Sequence, residues 1–351
     1  MQKLTKRQYE ILGILQKEKE ISAGNLQKKI KLLYNEDLSK ITVLRDLEAL
    51  RSHSLIAKKG TARNTTYCFL CSNELLEYFD IQKYFLTEFD KRSLKSKTFN
   101  FSIFEKLQGL FSQEELTRIE NINAKFRVRV QEASPTVLKK ELERLTIEFS
   151  WKSSRIEGNT YTLLDTERLI KDHIEAEGHE KEEALMILNH KEALDYIFHH
   201  HGDFQNVTLS KVEDLHKMLM KDLGISYLFR KTPVGIVGTE YRPLDNKFQI
   251  EDAMKELLKQ INNPRYPPFE KAFFTVLLIS YIQPFEDGNK RTGRLLSNAL
   301  LIAHTYCPLS YRSVDETEYK KAIILFYEQN SVLYFKELFI QQFEQAVEKY
   351  F

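Results

Sequence analysis

The chain has 351 residues, a net charge of +2, 42% hydrophobic and 29% charged residues. That composition fits a soluble globular protein of two or three domains and excludes a polycation. Three cysteines, Cys68, Cys71 and Cys307, are too few for a disulfide scaffold, and the apolar run at 272–282 is far short of the roughly 20 residues a membrane span needs. The opening MQKLTKRQYE has no apolar leader, so a cytoplasmic setting without a membrane partner is expected.

Residues 1–70 read as one unit. Leu4, Ile11, Leu12 and Leu15 form a helical stripe, Ile21 to Ile30 a second helix, and Ser39 to Leu50 a third. In the third, Ile41, Leu44, Leu47 and Leu50 are expected to be buried. Leu55–Gly60 and Thr65–Leu70 read as two strands joined by a basic turn over Gly60–Asn64. The run S-x-x-T-x-x-R-D-L-x-x-L from Ser39 to Leu50, with the hairpin after it, resembles a winged helix-turn-helix of the DeoR-like kind. Residues 1–70 carry 14 Lys/Arg against 7 Asp/Glu, an asymmetry that the whole-chain charge hides. The resemblance implies duplex DNA as a partner. Lys40, Thr42, Val43 and Arg45 would lie on or near the groove face, and Lys58, Lys59 and Arg63 would reach phosphates from the wing. A helical unit for protein contact is the alternative. Cys68-x-x-Cys71 has no second pair and no close histidine, and is expected as packed thiols rather than a zinc site.

Residues 71–134 read as a helical connector. Lys91 to Lys97 is a charged, serine-bearing break, expected as a linker. Ser112-x-x-Glu115 is a capping box opening a helix through about Gln131. Ser134-Pro135 starts the next helix with a cap and an N-terminal proline, and Leu138, Leu142, Leu145 and Phe149 give it a core stripe. This helix, about 135–158, ends at Gly158. Ser153 and Glu157 are i, i+4 and share a face; alone, that reads as a solvated helix end.

Thr162 to Glu175 and Lys181 to His200 read as two more helices. His199-His200-His201 cannot face one way on a helix, so no metal site is expected there. Ser210-x-x-Glu213 reads as another capping box. Phe229 to Asn246, with short β-branched pieces between Pro233 and Pro243, reads as a small β-hairpin.

The apolar run 272–282 ends in Gln283-Pro284-Phe285. Glu286-Asp287-Gly288-Asn289-Lys290-Arg291-Thr292-Gly293-Arg294 follows, then a second apolar run from Leu295. This is helix, tight polar loop, helix. A helix beginning near Lys290 would aim free N–H groups and the positive end of its dipole into the loop, with Arg291 and Arg294 on one face. That is an anion site suited to polyphosphate. Tyr319 to Gln329 and Phe335 to Tyr350 close the chain as helices, and Tyr319 and Tyr327 lie where base contacts or core packing are both open.

The stretch resembles the signature of the Fic (Fido) family, H-x-F-x-[DE]-G-N-G-R-x-x-R. Phe285, Asp287, Gly288, Asn289, Arg291 and Arg294 match; Gln283 replaces the histidine and Lys290 a glycine. The resemblance covers roughly 135–345. It implies an all-helical core with a β-hairpin flap, mainly α, organised as a winged helix (1–70), a connector (71–134) and a Fic domain (135–351). It implies transfer of AMP from ATP to a protein hydroxyl, on an unidentified target or on the chain itself. Asp287 would bind Mg²⁺. Asn289 and the backbone at 288–291, with Gly288, Lys290 and Gly293 in the cradle, would hold the α-phosphate, and Arg291 and Arg294 the terminal phosphates. Phe285 would anchor the loop. Ser153, Glu157 and Gly158 resemble the family's inhibitory motif, [ST]-x-x-x-E-[GN], in which Glu157 would pair with Arg294 and take the place of the γ-phosphate. Val234, Gly235, Ile236, Val237 and Gly238 would form a flap that docks the target by main-chain pairing.

Gln283 occupies the general-base position. Imidazole titrates near neutrality, whereas an amide takes no proton there. Lys290 is the residue that Doc-like phosphotransferases carry, but those lack the second arginine. Three readings follow: an autoinhibited adenylyltransferase slowed by Gln283, a nucleotide-binding pseudoenzyme that regulates through DNA, and a Doc-like phosphotransferase. A second copy of the chain is a further candidate partner.

Overall fold

The computed structural model describes residues 4–18, 20–52, 55–69 and 73–350. Cys71 and the side chain of Arg63 lie outside the described residues. Three helices, α1 (Lys6–Lys17), α2 (Ala23–Tyr34) and α3 (Lys40–Ser52), precede an antiparallel pair, β1 (Ile56–Lys59) and β2 (Thr66–Phe69). Ile56 faces Phe69 and Lys59 faces Thr66 in that pair. Thr5 and Ser22 cap the first two helices through their side-chain oxygens. Ile11, Leu15, Leu26, Ile30, Leu47, Leu50 and Ile56 make a core of their own.

The stripe expected on α3 is rotated. Val43, Leu47 and Leu50 are buried, whereas Ile41 is 79% exposed and Leu44 is also exposed. Asp46 explains the rotation. It is buried and accepts from Arg7 Nε at 2.5 Å and Nη2 at 3.2 Å, and from Gln8 Nε2 at 3.2 Å. A buried carboxylate has to face its partners, so the 43–46–47–50 face turns inward. Val43 is therefore a core residue and not part of a groove face.

After α4 (Ile81–Phe85), the stretch expected as a linker is pinned on both sides. Arg92 and Glu328 form a buried ion pair at 3.0 Å, and Arg92 Nη2 donates to Gly238 O at 3.0 Å. The N–H of Lys95 donates to Glu328 O, and that of Arg242 to Lys97 O, both at 2.8 Å. Then comes α5 (Gln113–Glu132), opened by the expected Ser112–Glu115 capping box. Phe99, Phe104, Phe111 and Phe126 join the same hydrophobic core as the C-terminal helices.

The rest is helical: α6 (Pro135–Ile156), α7 (Leu163–Asp172), α8 (Lys181–His199), α9 (Leu209–Leu219), α10 (Lys247–Ile261), α11 (Pro268–Ile282), α12 (Asn289–Ala303), α13 (Glu316–Gln329) and α14 (Leu333–Lys349). Thr208, two residues before the expected Ser210, caps α9. The middle of the bundle is α11, buried from Phe269 to Ile282, as a helix apolar on every side must be. Each fully buried Phe, Leu or Ile there contributes roughly 1.5–3 kcal/mol. Its closest neighbour is α12. A Cβ on Gly293 would lie 3.3 Å from Val276 O, so this glycine lets the two backbones approach.

The fold is mainly α, with one small two-stranded hairpin among the described residues, and that hairpin is β1–β2. The segment 229–246, expected to be a hairpin, contains no strand ladder; its one bridge is parallel, from Arg242 to Thr98. Pro233 and Pro243 offer no N–H, and the backbone bonds go elsewhere: the N–H of Arg230 donates to Pro284 O at 3.0 Å.

Candidate functional site

The loop between α11 and α12 is held by its own side chains. Gln283 caps α11 in the left-handed region (φ 51°), and Gly288 caps α12 at φ 75°. A Cβ at Gly288 would fall 2.5 Å from Met220 Cε. Phe285 is buried and stacks on the ring of His216, with centroids 3.5 Å apart and planes 6° apart. Asn289 staples the turn: Oδ1 accepts from the N–H of Phe285 at 2.8 Å, and Nδ2 donates to Phe285 O and Gln283 Oε1, both at 2.9 Å. Its side chain is thus spent inside the loop and does not reach out as a phosphate ligand. Gln283 Nε2 donates to Ser280 O at 2.7 Å, so both ends of that amide are engaged.

Arg230 fixes the loop from outside. It is buried and donates through Nε to Gln283 O at 2.6 Å, through Nη1 to Thr232 O at 2.8 Å and through Nη2 to Leu244 O. One guanidinium therefore ties the start and end of 229–246 to the signature loop.

A cavity of about 430 Å³ opens over the start of α12. Gln283, Asp287, Gly288, Asn289, Lys290 and Arg291 form its floor, and Val234, Gly235, Ile236 and Val237 one wall. Val237 is 95% exposed at the rim. Gly238 is turned away, its carbonyl accepting from Arg92. Gly293 belongs to the helix contact and not to the cavity. Tyr319 and Tyr327 line the inner side but are buried. Tyr327 stacks with Tyr241 at 5.3 Å, and the Arg294 guanidinium lies 5.5 Å from the Tyr319 ring centre.

Glu157, the C-cap of α6, fills the cationic end. Its Oε1 lies 2.9 Å from Arg294 Nη1, off the hydrogen-bonding axis, and its Oε2 lies 3.4 Å from Lys290 Nζ. Arg294 is 0% exposed; it also donates through Nε to Ser153 Oγ at 3.0 Å and through Nη2 to Ser153 O at 2.8 Å. The Ser153 hydroxyl meets His190 Nε2 at 3.0 Å, while His190 Nδ1 lies 2.7 Å from Met186 O. Burial pushes His190 down to about 3. The ring is therefore neutral, with Nδ1–H donating to the carbonyl and Nε2 accepting from serine. Burial works against the Glu157 carboxylate, but Arg294 and then Lys290 outweigh it and hold it at about 2.

The two arginines of the signature part company. Arg291 is buried and turns to Asp287, with Nη2 2.7 Å from Oδ2. Burial lowers its pKa, with Asp287 opposing. Asp287 itself is exposed at the mouth. Among the described residues no three His, Cys, Asp or Glu converge to hold a metal ion alone. In the N-terminal unit Lys40, Arg45, Lys58 and Lys59 are exposed, and the N–H of Thr42 donates to Ser39 Oγ at 3.1 Å in the cap of α3. Asp46, next in the chain after Arg45, pairs with Arg7.

Sequence reasoning missed Arg230, His190 and His216. Arg230 stands next to Lys231 with nothing to mark it as buried, and the two histidines sit on ordinary amphipathic helices. The one usable signal was an apolar i, i+3, i+4 register placing His190 and His216 among core positions.

The sequence model of the Fic/DOC family matches residues 206–301, which spans α9 to α12 and leaves out the Glu157 helix. The protein adenylyltransferase Fic of Nematostella vectensis is 26% identical over 189 residues, 52% of this chain and 43% of that protein. Its counterpart in Drosophila grimshawi is 28% identical over 172 residues, 48% and 35%. The chain thus spans less than half the length of these curated relatives. Among solved structures, Fic-1 of C. elegans (residues 134–508) superposes with a TM-score of 0.56 at 16% identity, covering 71% of each chain. A Fic domain-containing signaling protein of Bacteroides thetaiotaomicron gives 0.57 at 21%, covering 66% of this chain and 94% of that one. Over 206–301 this chain matches the Fic/DOC family, and its helical fold is shared with Fic-domain structures.

Proposed function

We propose that this chain is a Fic-type protein adenylyltransferase scaffold that binds ATP, is held closed by Glu157, and is curtailed in turnover by Gln283. The observation that carries this reading is the Glu157 carboxylate seated between Arg294 and Lys290, at 2.9 and 3.4 Å, where α12 begins. A carboxylate held by two cations at a helix N-terminus stands where a terminal phosphate group is best bound. We divide the chain accordingly: a winged helix over 1–70, a connector over 71–134, and a Fic domain over 135–351 with its inhibitory helix at about 135–158.

In the reaction, a target hydroxyl attacks the α-phosphorus of ATP. One O–P bond forms, the bond to pyrophosphate breaks, and the hydroxyl proton needs an acceptor. The N–H groups that open α12 and the charge of Arg294 and Lys290 would position the triphosphate. The residues fit Mg²⁺ as a nucleotide-borne ion. Asp287 is one exposed carboxylate at the mouth, and Mg²⁺ is commonly held by one or two carboxylates plus phosphates. When bound, it would neutralise phosphate charge. Val234 to Val237 form the rim along which a target segment would lie. Gln283 supplies no base; losing one typically costs about 10²–10⁴-fold in rate.

Incubation with α- and γ-labelled ATP of this chain, Gln283→His, and Gln283→His with Glu157→Gly tests the reading. Protein labelling from the α-label is expected in the double variant. A double variant that binds ATP and labels nothing sinks it; transfer of the γ-label alone would point to a Doc-like phosphotransferase.

A second reading, regulation through duplex DNA, is favoured by the exposed Lys40 and Arg45 of α3 beside Lys58 and Lys59 of the hairpin. A salt-dependent shift of duplex is expected, weakened by Arg45→Glu with Lys58→Glu. Absence of any shift at low salt would remove it.

A further inference from the structure

Glu157 does not pair with one cation but divides its carboxylate between two. Oε1 belongs to Arg294 and Oε2 to Lys290. Arg291, the arginine expected beside Arg294, is instead buried against Asp287. Lys290 and Arg294 are i, i+4, so they lie one above the other on the first turns of α12. Their mobilities differ. Arg294 is fully buried and tied by two hydrogen bonds to Ser153. Lys290 is 28% exposed and lines the cavity. A lysine is a point charge on a flexible stem and can follow an anion, whereas an immobilised guanidinium cannot. A carboxylate with one oxygen on a fixed cation and one on a mobile cation has the shape and charge of two oxygens of a phosphoryl group.

We infer that Lys290 and Arg294 form a two-cation subsite for the terminal phosphate of a nucleoside triphosphate. Glu157 is its resident competitor, and Lys290, not Arg291, is its second pole. The inference rests on the nucleotide reading above and adds to it a residue that determines specificity. In the closed state Lys290 latches the inhibitory helix. Once Glu157 withdraws, the same ammonium selects nucleoside triphosphates over monophosphates.

Two measurements test this. The first is binding of ATP and of AMP to Glu157→Gly with and without Lys290→Met. Loss of a charge-assisted contact should weaken ATP about tenfold or more and leave AMP within about twofold, because AMP has no γ-phosphate for the subsite. With Glu157 intact, Lys290→Met should weaken ATP much less, since Lys290 is then occupied. Equal losses for ATP and AMP, or equal losses in both backgrounds, overturn the assignment. The second is hydrogen exchange at the end of α6, where the N–H groups of Glu157 and Gly158 donate to Ser154 O and Arg155 O, each at 3.0 Å. Lys290→Met should speed it severalfold and Lys290→Arg should not; unchanged exchange overturns the latch. If Glu157→Gly binds neither nucleotide, the nucleotide reading and the phosphate role both fail, while exchange still decides the Lys290–Glu157 pairing.

Discussion

Replacing Glu157 by glutamine keeps the shape of the plug and removes its charge. The carboxyl is held at about 2, by Arg294 and then Lys290 working against burial. Against an ordinary glutamate near 4.3, that is a depression of roughly two units at about 1.4 kcal/mol each, or about 3 kcal/mol of native stability at pH 7. The sign follows from the direction. A depressed carboxyl contributes its full stability above its unfolded pKa and loses it as pH falls toward the folded value, so about half should remain near pH 3. Glu157→Gln should therefore cost about 3 kcal/mol between pH 6 and 8, with a gap from the parent that narrows below about pH 4. The buried Arg294 left without its carboxylate pushes the same way. Trp151 reports on this without a label. It is the sole tryptophan, lies on α6, and donates through Nε1 to Tyr161 O at 3.1 Å. Urea unfolding followed by its fluorescence gives the stability, and ATP titration of the same sample gives the affinity, which should rise. A variant as stable as the parent at pH 7, with unchanged ATP affinity, would refute the claim that this ion pair holds the site shut.

Gly288→Ala should destabilise by about 1–3 kcal/mol, because it combines φ 75° with a Cβ 2.5 Å from Met220 Cε; denaturant midpoints check it. Arg230→Met removes the donor shared by Gln283 O, Thr232 O and Leu244 O. It should cost about 2 kcal/mol or more and accelerate hydrogen exchange at the Arg230 amide, which is bonded to Pro284 O. Burial pushes the Glu270 carboxyl up to about 7, with Lys336 pulling the other way. A raised folded pKa makes this group's contribution fall as pH rises from about 4.3 to 7, by on the order of 3 kcal/mol. Glu270→Gln should flatten that part of the stability–pH curve, and a parent and variant that stay parallel from pH 4.5 to 8 would contradict it.

What could be read from the sequence followed from local chemistry. The capping box at Ser112, the Ser134-Pro135 start and the apolar α11 need only neighbouring residues, and all three stand as expected. What could not be read depended on distant partners. The face of α3 was misjudged because Asp46 is drawn inward by Arg7, 39 residues away. The stretch 91–97 looked like a linker because its charges and serines are those of a loop. Its Arg92 is neutralised by Glu328, 236 residues on. The segment 229–246 has the β-branched and glycine content of a hairpin, but its hydrogen bonds are claimed by Pro284 and Lys97. In the site, types and spacing indicated an anion cradle, but not which cation meets which anion. Asn289 and Arg291 turn inward to hold the loop, and Lys290 takes the outward place.

On the proposed reading, that division lets one short signature both fold and bind. A loop that must present free N–H groups cannot be tied by them, so its closure falls to side chains: Asn289 on Phe285 and Gln283, Arg291 on Asp287, and Phe285 on His216. The remaining cations then set the charge of the cavity. Lys290, Arg294 and Lys320 face Glu157 and Glu286 at or beside it, while Arg291 and Asp287 cancel each other. Closed, these groups balance to within one positive charge, and a carboxylate already occupies the cationic pair. Withdrawing Glu157 leaves the cationic pair exposed beside the helix N-terminus, in surroundings where charge is poorly screened. On the proposed reading, a single carboxylate would control both the space and the field of the site. The separation is testable: Glu157→Asp, which keeps the charge on a shorter arm, should vacate space without releasing the field, and should raise ATP affinity less than Glu157→Gln does.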